Sequence, residues 1–433
     1  MRFFYYISDL DKKPSLTIRW LLVVLMLLFV PHLYYSYLYL DQSMCPDLLL
    51  RIIGSRLQEA GKGIYSYKWQ PGDTTAWLNL YPDNREGLNG VTSTPLFLQM
   101  QQPLAKMKYC DIKLVWWIIT EIFLFFTLWM SSSIFKTKGR QFRFLLIVSF
   151  FFLFDRNWLL HVYNGQVYVL YAFAFALVTI ITLKAKRQRW NLLILALVSV
   201  LRPFFIVSAI AFWEFRWKHF LVLFAGVAVA GIIIFTTTDL SEWKQYNAAM
   251  QIHAREATDN IAMDDAYKRV DISKADPCII NSNASFLNFD AGCLFSIQHY
   301  LNLAGIKIDD VRFFQILLLA AVLLLWFIAY KKDWLQSIHH QLMLCFLFYQ
   351  LCELITPASR NPYNMIQWLP VMAWLTAFAN KKVIAITILG LCFNHNFPFY
   401  FDYQREIGEI LMFSAAFIYL FQLKPSKLLS IRY

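Results

Sequence analysis

Charge is scarce in this chain. Asp, Glu, Lys and Arg supply 16% of its 433 residues, against about a quarter in a soluble globular domain. The shortage excludes the two or three soluble domains that the length alone would permit. Acids are scarcer than bases, 28 against 40, yet no nucleic-acid module accompanies the excess. The Lys and Arg fall in short segments between apolar runs, where they set membrane orientation. No cluster of His, Cys and Asp has metal-ligand spacing, so neither a metal site nor a cofactor is expected. The chain also lacks a Gly-rich phosphate loop, an assignable Ser-His-Asp constellation, an internal repeat and a low-complexity tract. Its opening residues show no small-residue cleavage site after an apolar run and predict no cleavable signal.

What is abundant is apolar. Hydrophobic residues make up 58% of the chain, and runs approaching the roughly 20 residues that cross a bilayer recur throughout. The reading is one all-α polytopic membrane domain over residues 1–433. Apolar segments run over about 20–40, 112–130, 144–154, 167–183, 192–201, 204–212, 220–235, 313–330, 341–355, 365–378, 383–401 and 407–421. Several of these are short, so 10 to 13 transmembrane helices are expected. Runs of this kind, such as the two split by Arg202 and Pro203, suit half-helices that line protein or a water-filled cavity.

Two long loops, 41–110 and 238–310, are read as extracytoplasmic and as carrying interfacial helices. The segments assigned to the inside hold 21 Lys and Arg in 67 residues, and the two loops hold 13 in 143. That asymmetry places both termini in the cytoplasm and the protein in the cell's inner (plasma) membrane, with its site facing out. Cys45, Cys110, Cys278 and Cys293 fall in the loops, an even number in an oxidising compartment. Four cysteines allow three connectivities. Cys45 with Cys110 would join the ends of the first loop, and Cys278 with Cys293 would close a short hairpin in the second.

The chain is organised around residues 45–65, CPDLLLRIIGSRLQEAGKGIY. Leu48, Leu49, Ile52, Ile53 and Leu57 recur at helical spacing, and Gly61 and Gly63 break the run. Such a helix lies in the bilayer interface and sets Asp47 where a span meets water. Asp47 can be read as a general base or as a helix N-cap. Arg202 interrupts an apolar run, which marks either a functional cation or a snorkelling one. Arg360, beside Asn361 and Tyr363 in a short loop, could fork onto a phosphate or be a plain loop charge. Asn164 and Gln166 at a span mouth could bind sugar hydroxyls or cap the helix. Glu121 and Glu353 lie within spans and need partners. His161 and His395 look isolated.

These motifs, in this order, resemble the GT-C class of integral-membrane glycosyltransferases and, within it, glycosyltransferase family 87, the polyprenol-phosphate-mannose-dependent mannosyltransferases and their bacterial relatives. The resemblance rests on Asp47 and Tyr65 flanking the amphipathic helix, on Pro95, Pro103 and Leu104 in STPLFLQMQQPLA, and on Asn164-Gly165-Gln166. It rests also on Arg202-Pro203 and on Asn283-Ala284-Ser285. The chain departs from the pattern at Leu50 and Arg51, where an aromatic is usual, and at Thr94, where a Pro is usual. A late His pair is also missing from TPASRNPYN.

The resemblance implies a GT-C-like bundle that moves a sugar, mannose or another hexose or pentose, from a polyprenyl-phosphate donor to a glycolipid or glycan acceptor with inversion. Asp47 would be the base, Arg202 and Arg360 would hold the donor phosphate, and Asn164, Gln166, Asn361 and Tyr363 would line the substrate. Donor, acceptor and membrane lipids are the expected partners. The rival classes are a glycolipid transporter or flippase, which would show paired halves, and a polysaccharide polymerase or ligase with an Arg-centred site.

Overall fold

The computed structural model describes residues 16–423 except 71, 79–87, 186–187, 213–216, 257–296, 298–299, 302–303, 307, 309–310, 357–359 and 396–402. Every regular element among the described residues is helical. In chain order they are α1 (Leu16–Gln42), α2 (Pro46–Glu59), α3 (Pro95–Ala105), α4 (Tyr109–Ser132), α5 (Lys138–Val148), α6 (Arg156–Asn164), α7 (Tyr168–Ile180) and α8 (Gln188–Val198). There follow α9 (Phe205–Ser208), α10 (Trp217–Thr237), α11 (Leu240–Glu256), α12 (Val311–Lys331), α13 (Ile338–Ile355), α14 (Leu369–Phe378), α15 (Lys381–Asn394) and α16 (Gln404–Gln422).

Four of the described helices are long and apolar enough to cross a membrane, within α1, α4, α12 and α13. Two bent pairs raise that number to six: α5 with α6, at 49°, and α10 with α11, at 104°. This is a membrane protein by composition and helix length, but the expected 10 to 13 full spans are not matched by long helices. The reason is that an apolar run measures burial, whether in lipid or in protein. The run before DRNW ends in a π-helical turn, Ser149–Leu153. The runs around Arg202 become α8, the one-turn α9 and a short 3-10 turn. Such pieces bury one side against neighbouring helices, through residues such as Phe152, Leu195 and Phe205, and leave Phe150 and Leu197 exposed,.

Burial and hydropathy run in opposite directions along α12 and α13. The α12 span is the most apolar of the four, and only 22% of it is buried. The α13 span is the least apolar, and 89% of it is buried. Helix α13 therefore runs through the protein core, carrying Gln341, Tyr349, Gln350 and Glu353 inward. Around it α4 packs on α7, α1 on α6, and α15 forms a tight hairpin with α16. A Cβ on Gly408 would lie 2.5 Å from both the Asn394 nitrogen and the Gly390 oxygen. That close approach fixes the register that carries Glu409 into the core.

The amphipathic stretch folds as α2, as its spacing predicts. Pro46 takes the first helical position, where its missing N–H costs nothing,. The apolar stripe of Leu48, Leu49, Ile52, Ile53 and Leu57 is covered by protein, largely by α3. The Gln58 amide donates to Glu242 of α11 at 2.8 Å, and the Tyr65 and Tyr246 rings meet at 5.7 Å. The start of the second loop thus lies across the first.

The cysteine pairing needs correction. Cys45 is a free, buried thiol, whereas Cys110 is disulfide-bonded, so the two do not pair with each other. Cys45 is held away from Cys110 because its sulfur points at α6, 3.6 Å from the Val162 oxygen. The expected Cys278–Cys293 pairing and Asn283-Ala284-Ser285 lie outside the described residues.

Candidate functional site

The turn from α1 into α2 is strained and held from two sides. Cys45 has φ 50°, a left-handed conformation unusual for a residue with a Cβ,. It persists because its surroundings over-determine it. The Cys45 N–H donates to Ser43 Oγ at 2.9 Å, and Tyr109 of α4 donates to the Met44 oxygen at 2.7 Å. Lys113 donates to the Ser43 oxygen, and Ser43 Oγ donates to the Tyr163 oxygen of α6. Cys45 is the N-cap residue of α2. Asp47 stands two positions further on, inside the first turn, so its carboxylate is not a cap.

That carboxylate accepts a hydrogen bond from the Gln166 side chain. Gln166 follows Gly165, which ends α6 in the left-handed region at φ 66°. A Cβ at Gly165 would sit 2.5 Å from Leu48 Cβ and 3.1 Å from Cys45 Cβ. Glycine is thus required both for the turn and for α2 to come this close. Gly165→Ala should destabilise the fold by about 1–3 kcal/mol, combining strain and overpacking. The measurement is the midpoint of thermal unfolding, and an unchanged midpoint would contradict this contact.

Burial pushes the Asp47 carboxyl up to about 6, while the Arg51 cation and the Gln166 hydrogen bond pull it the other way. Arg51, one turn along α2, is buried and donates to the Gly165 oxygen. Its guanidinium lies 5.1 Å from the Trp116 ring centroid and 5.9 Å from that of Phe97. Burial lowers the Arg51 pKa, and the Asp47 charge partly restores it.

Both sequence-selected arginines of the membrane region carry carboxylate partners. Arg202 donates from Nε and Nη2 to one oxygen of Glu353, at 3.1 and 2.6 Å. Its Nη1 has no hydrogen-bond partner among the described residues, and its side chain is 29% exposed. Arg360 differs. Its side chain is 2% exposed, and Nη1 and Nη2 fork onto the two oxygens of Glu409 at 2.8 and 2.7 Å. The fork expected to face a phosphate faces a protein carboxylate, because a buried cation needs its counterion beside it. The two ion pairs are joined. Tyr349 donates to Glu353 at 2.7 Å, Gln367 donates to Tyr349 at 3.4 Å, and Gln350 donates to Gln367 at 3.0 Å. Arg360 then donates to Gln350 at 3.4 Å.

Tyr168, the first residue of α7, stands among these groups. It is within electrostatic range of Arg202, Glu353, Asp47 and Arg360. The Arg202 guanidinium lies 5.9 Å from its ring centroid, and the Tyr363 ring lies 5.6 Å away. The Asn361 amide donates to the Tyr363 hydroxyl at 2.8 Å. The Tyr363 pKa is raised, by burial first and then by the Asp47 charge. Asp47, Tyr168, Arg202, Asn361 and Tyr363 all keep partial exposure, while Arg51, Gln166, Glu353 and Arg360 behind them are buried.

Of the residues expected to line a site, Asp47, Gln166, Arg202, Arg360 and Tyr363 are brought together, with Asn361 behind Tyr363. Asn164 is not, since its amide donates to the Leu160 oxygen one turn back in its own helix. Gln166 meets Asp47 rather than open space. Glu121 finds partners in His32, at 2.9 Å, and Ser36, at 2.8 Å, both on α1. His395 is not isolated, because its Nδ1 lies 2.7 Å from Asp155. His161 stacks on Trp158 at 4.9 Å. The sequence reading missed Arg51, Tyr168 and Glu409 as site neighbours. For Glu409 a signal existed, an acid within an apolar run, which needs a cationic partner from elsewhere in the chain.

No protein-family model, curated protein or solved structure matches the chain.

Proposed function

We propose that the protein is a membrane-embedded, inverting glycosyltransferase that takes its sugar from a polyprenyl-phosphate donor. The observation that carries this reading is one juxtaposition. A carboxyl raised to about 6 and a guanidinium with an unused nitrogen both lie within electrostatic range of Tyr168, the guanidinium 5.9 Å from its ring centroid. Transfer from a lipid phosphate to a hydroxyl needs these two groups on opposite sides of the reacting carbon.

The acceptor oxygen attacks C1 of the sugar from the Asp47 side, and its proton passes to the Asp47 carboxylate. The bond from C1 to the phosphate oxygen breaks, and its electron pair leaves with the lipid phosphate. Arg202 Nη1 stabilises that developing charge, while Glu353 holds the guanidinium in place. Arg360 keeps a supporting role through Gln350 and makes no contact with phosphate. Gln166 orients the Asp47 carboxylate, and Asn361 orients Tyr363. In this reading α2 and α11 lie at the extracytoplasmic face of the inner membrane, where a glycolipid or glycan acceptor reaches Asp47.

The test is purified protein in lipid nanodiscs, offered short-chain polyprenyl phosphates carrying mannose, glucose or a pentose together with glycolipid acceptors. Release of sugar-free polyprenyl phosphate, with inversion at C1 of the product, is expected from one of them. Absence of turnover and of binding across the panel would overturn the reading.

A further inference from the structure

We infer that Tyr168 and Tyr363 form the subsite for the sugar ring of a lipid-phosphate-linked pyranose, with Tyr168 its principal positioning residue. This inference rests on the reading above and adds to it a residue that neither the motifs nor the expected chemistry selected.

Three observations carry it. First, the two rings are neighbours at 5.6 Å, tilted by 39°, and both residues are only partly buried. Aromatic faces of this kind supply apolar contact area at low entropic cost and pack against the C–H face of a pyranose. Second, the hydroxyls are available. Tyr168 has no hydrogen-bond partner among the described residues. Tyr363 accepts from Asn361 and so keeps its own O–H to donate. A phenol crowded by protein ordinarily finds a partner, and sugar hydroxyls would supply both.

Third, the location is the one the chemistry requires. Tyr168 lies within range of Asp47 and Arg202 together. In the proposed pose C1 lies beside Tyr168, with the acceptor approaching from Asp47 and the phosphate departing toward Arg202, whose guanidinium is 5.9 Å from the Tyr168 ring centroid. Tyr171, one turn along α7, continues the aromatic wall to Arg202, whose guanidinium lies 5.8 Å from its ring centroid. The sugar is thereby separated from the phosphate contact, and the two can be tested apart.

The experiment compares binding of polyprenyl-phosphate mannose and polyprenyl-phosphate glucose with that of the same polyprenyl phosphate lacking a sugar. Wild type should bind at least one sugar-bearing lipid about tenfold more tightly than the bare lipid, the scale of a single well-placed aromatic contact. In Tyr168→Ala, and in Tyr168→Leu, which keeps bulk at the start of α7, that preference should vanish. Affinity for the bare lipid should stay near wild type, because Arg202 is intact. Tyr168→Phe should keep most of the preference. Persistence of the preference in folded Tyr168→Leu would overturn the inference and leave the transferase reading standing. So would equal binding of sugar-bearing and bare lipid by wild type. Failure of wild type to bind any of the three lipids would overturn both.

Discussion

Asp47→Asn should lower turnover by roughly 10²–10⁴-fold, the usual worth of a positioned general base. Donor affinity should stay near wild type, since Arg202 and the tyrosines are untouched. The structure sets a different alternative from helix capping, because Cys45 occupies the cap. That alternative is counter-charge. Asp47 offsets the buried Arg51, so removing its charge could act by leaving Arg51 uncompensated. The double variant Asp47→Asn with Arg51→Met separates the two. A base lost is lost in both variants, whereas a counter-charge defect is relieved once the cation is gone. Recovery of turnover in the double variant would sink the catalytic role.

The same carboxyl predicts the acidic limb of the pH profile. Its folded pKa lies above the usual carboxylate range, at about 6. Wild-type turnover should therefore rise through about pH 6 and level off above it, since the ionised form is the base. The linked stability effect runs the other way. Between roughly pH 4 and 6 the folded chain holds a proton that the unfolded chain has released, so this group costs stability as pH rises through that window.

The second large effect is structural. Glu409→Gln should cost about 3–5 kcal/mol, the penalty for removing the carboxylate from a buried ion pair,. Arg360 is 2% and Glu409 0% exposed, so water cannot replace the missing charge. The check is thermal or denaturant unfolding in detergent, where the variant should lose most of its folded population. Adding Arg360→Met should restore much of the loss. A near-wild-type transition for Glu409→Gln alone would contradict the buried pair.

Much of this was legible in residue order, and what was not has definite causes. The helical membrane class followed from apolar content, because lipid leaves the backbone no other way to satisfy its hydrogen bonds. Asp47 and Gln166, 119 positions apart, were both singled out, and they meet because Gly165 admits α2. The span count came out lower among the described residues because residues 144–154 and 192–212 form short, broken helices rather than helices of full membrane length. Arg360 was misread because a loop position in sequence gives no depth, and its partner lay in a run read only as a span. Tyr168 carried no signal at all: a tyrosine at the head of an apolar helix is ordinarily an interfacial belt residue.

The contrast between α12 and α13 has a consequence for how the chain is made. Helix α12 is apolar enough to leave the translocon alone and rest in lipid. Helix α13 is the least apolar of the four, and its Gln350 and Glu353 would face hydrocarbon until Gln367 and Arg202 stand beside them,. Of these, Arg202 is synthesised well before α13, and Gln367 shortly after it. Stable integration of α13 should therefore come only after residue 367 has emerged, with neighbouring helices rather than singly.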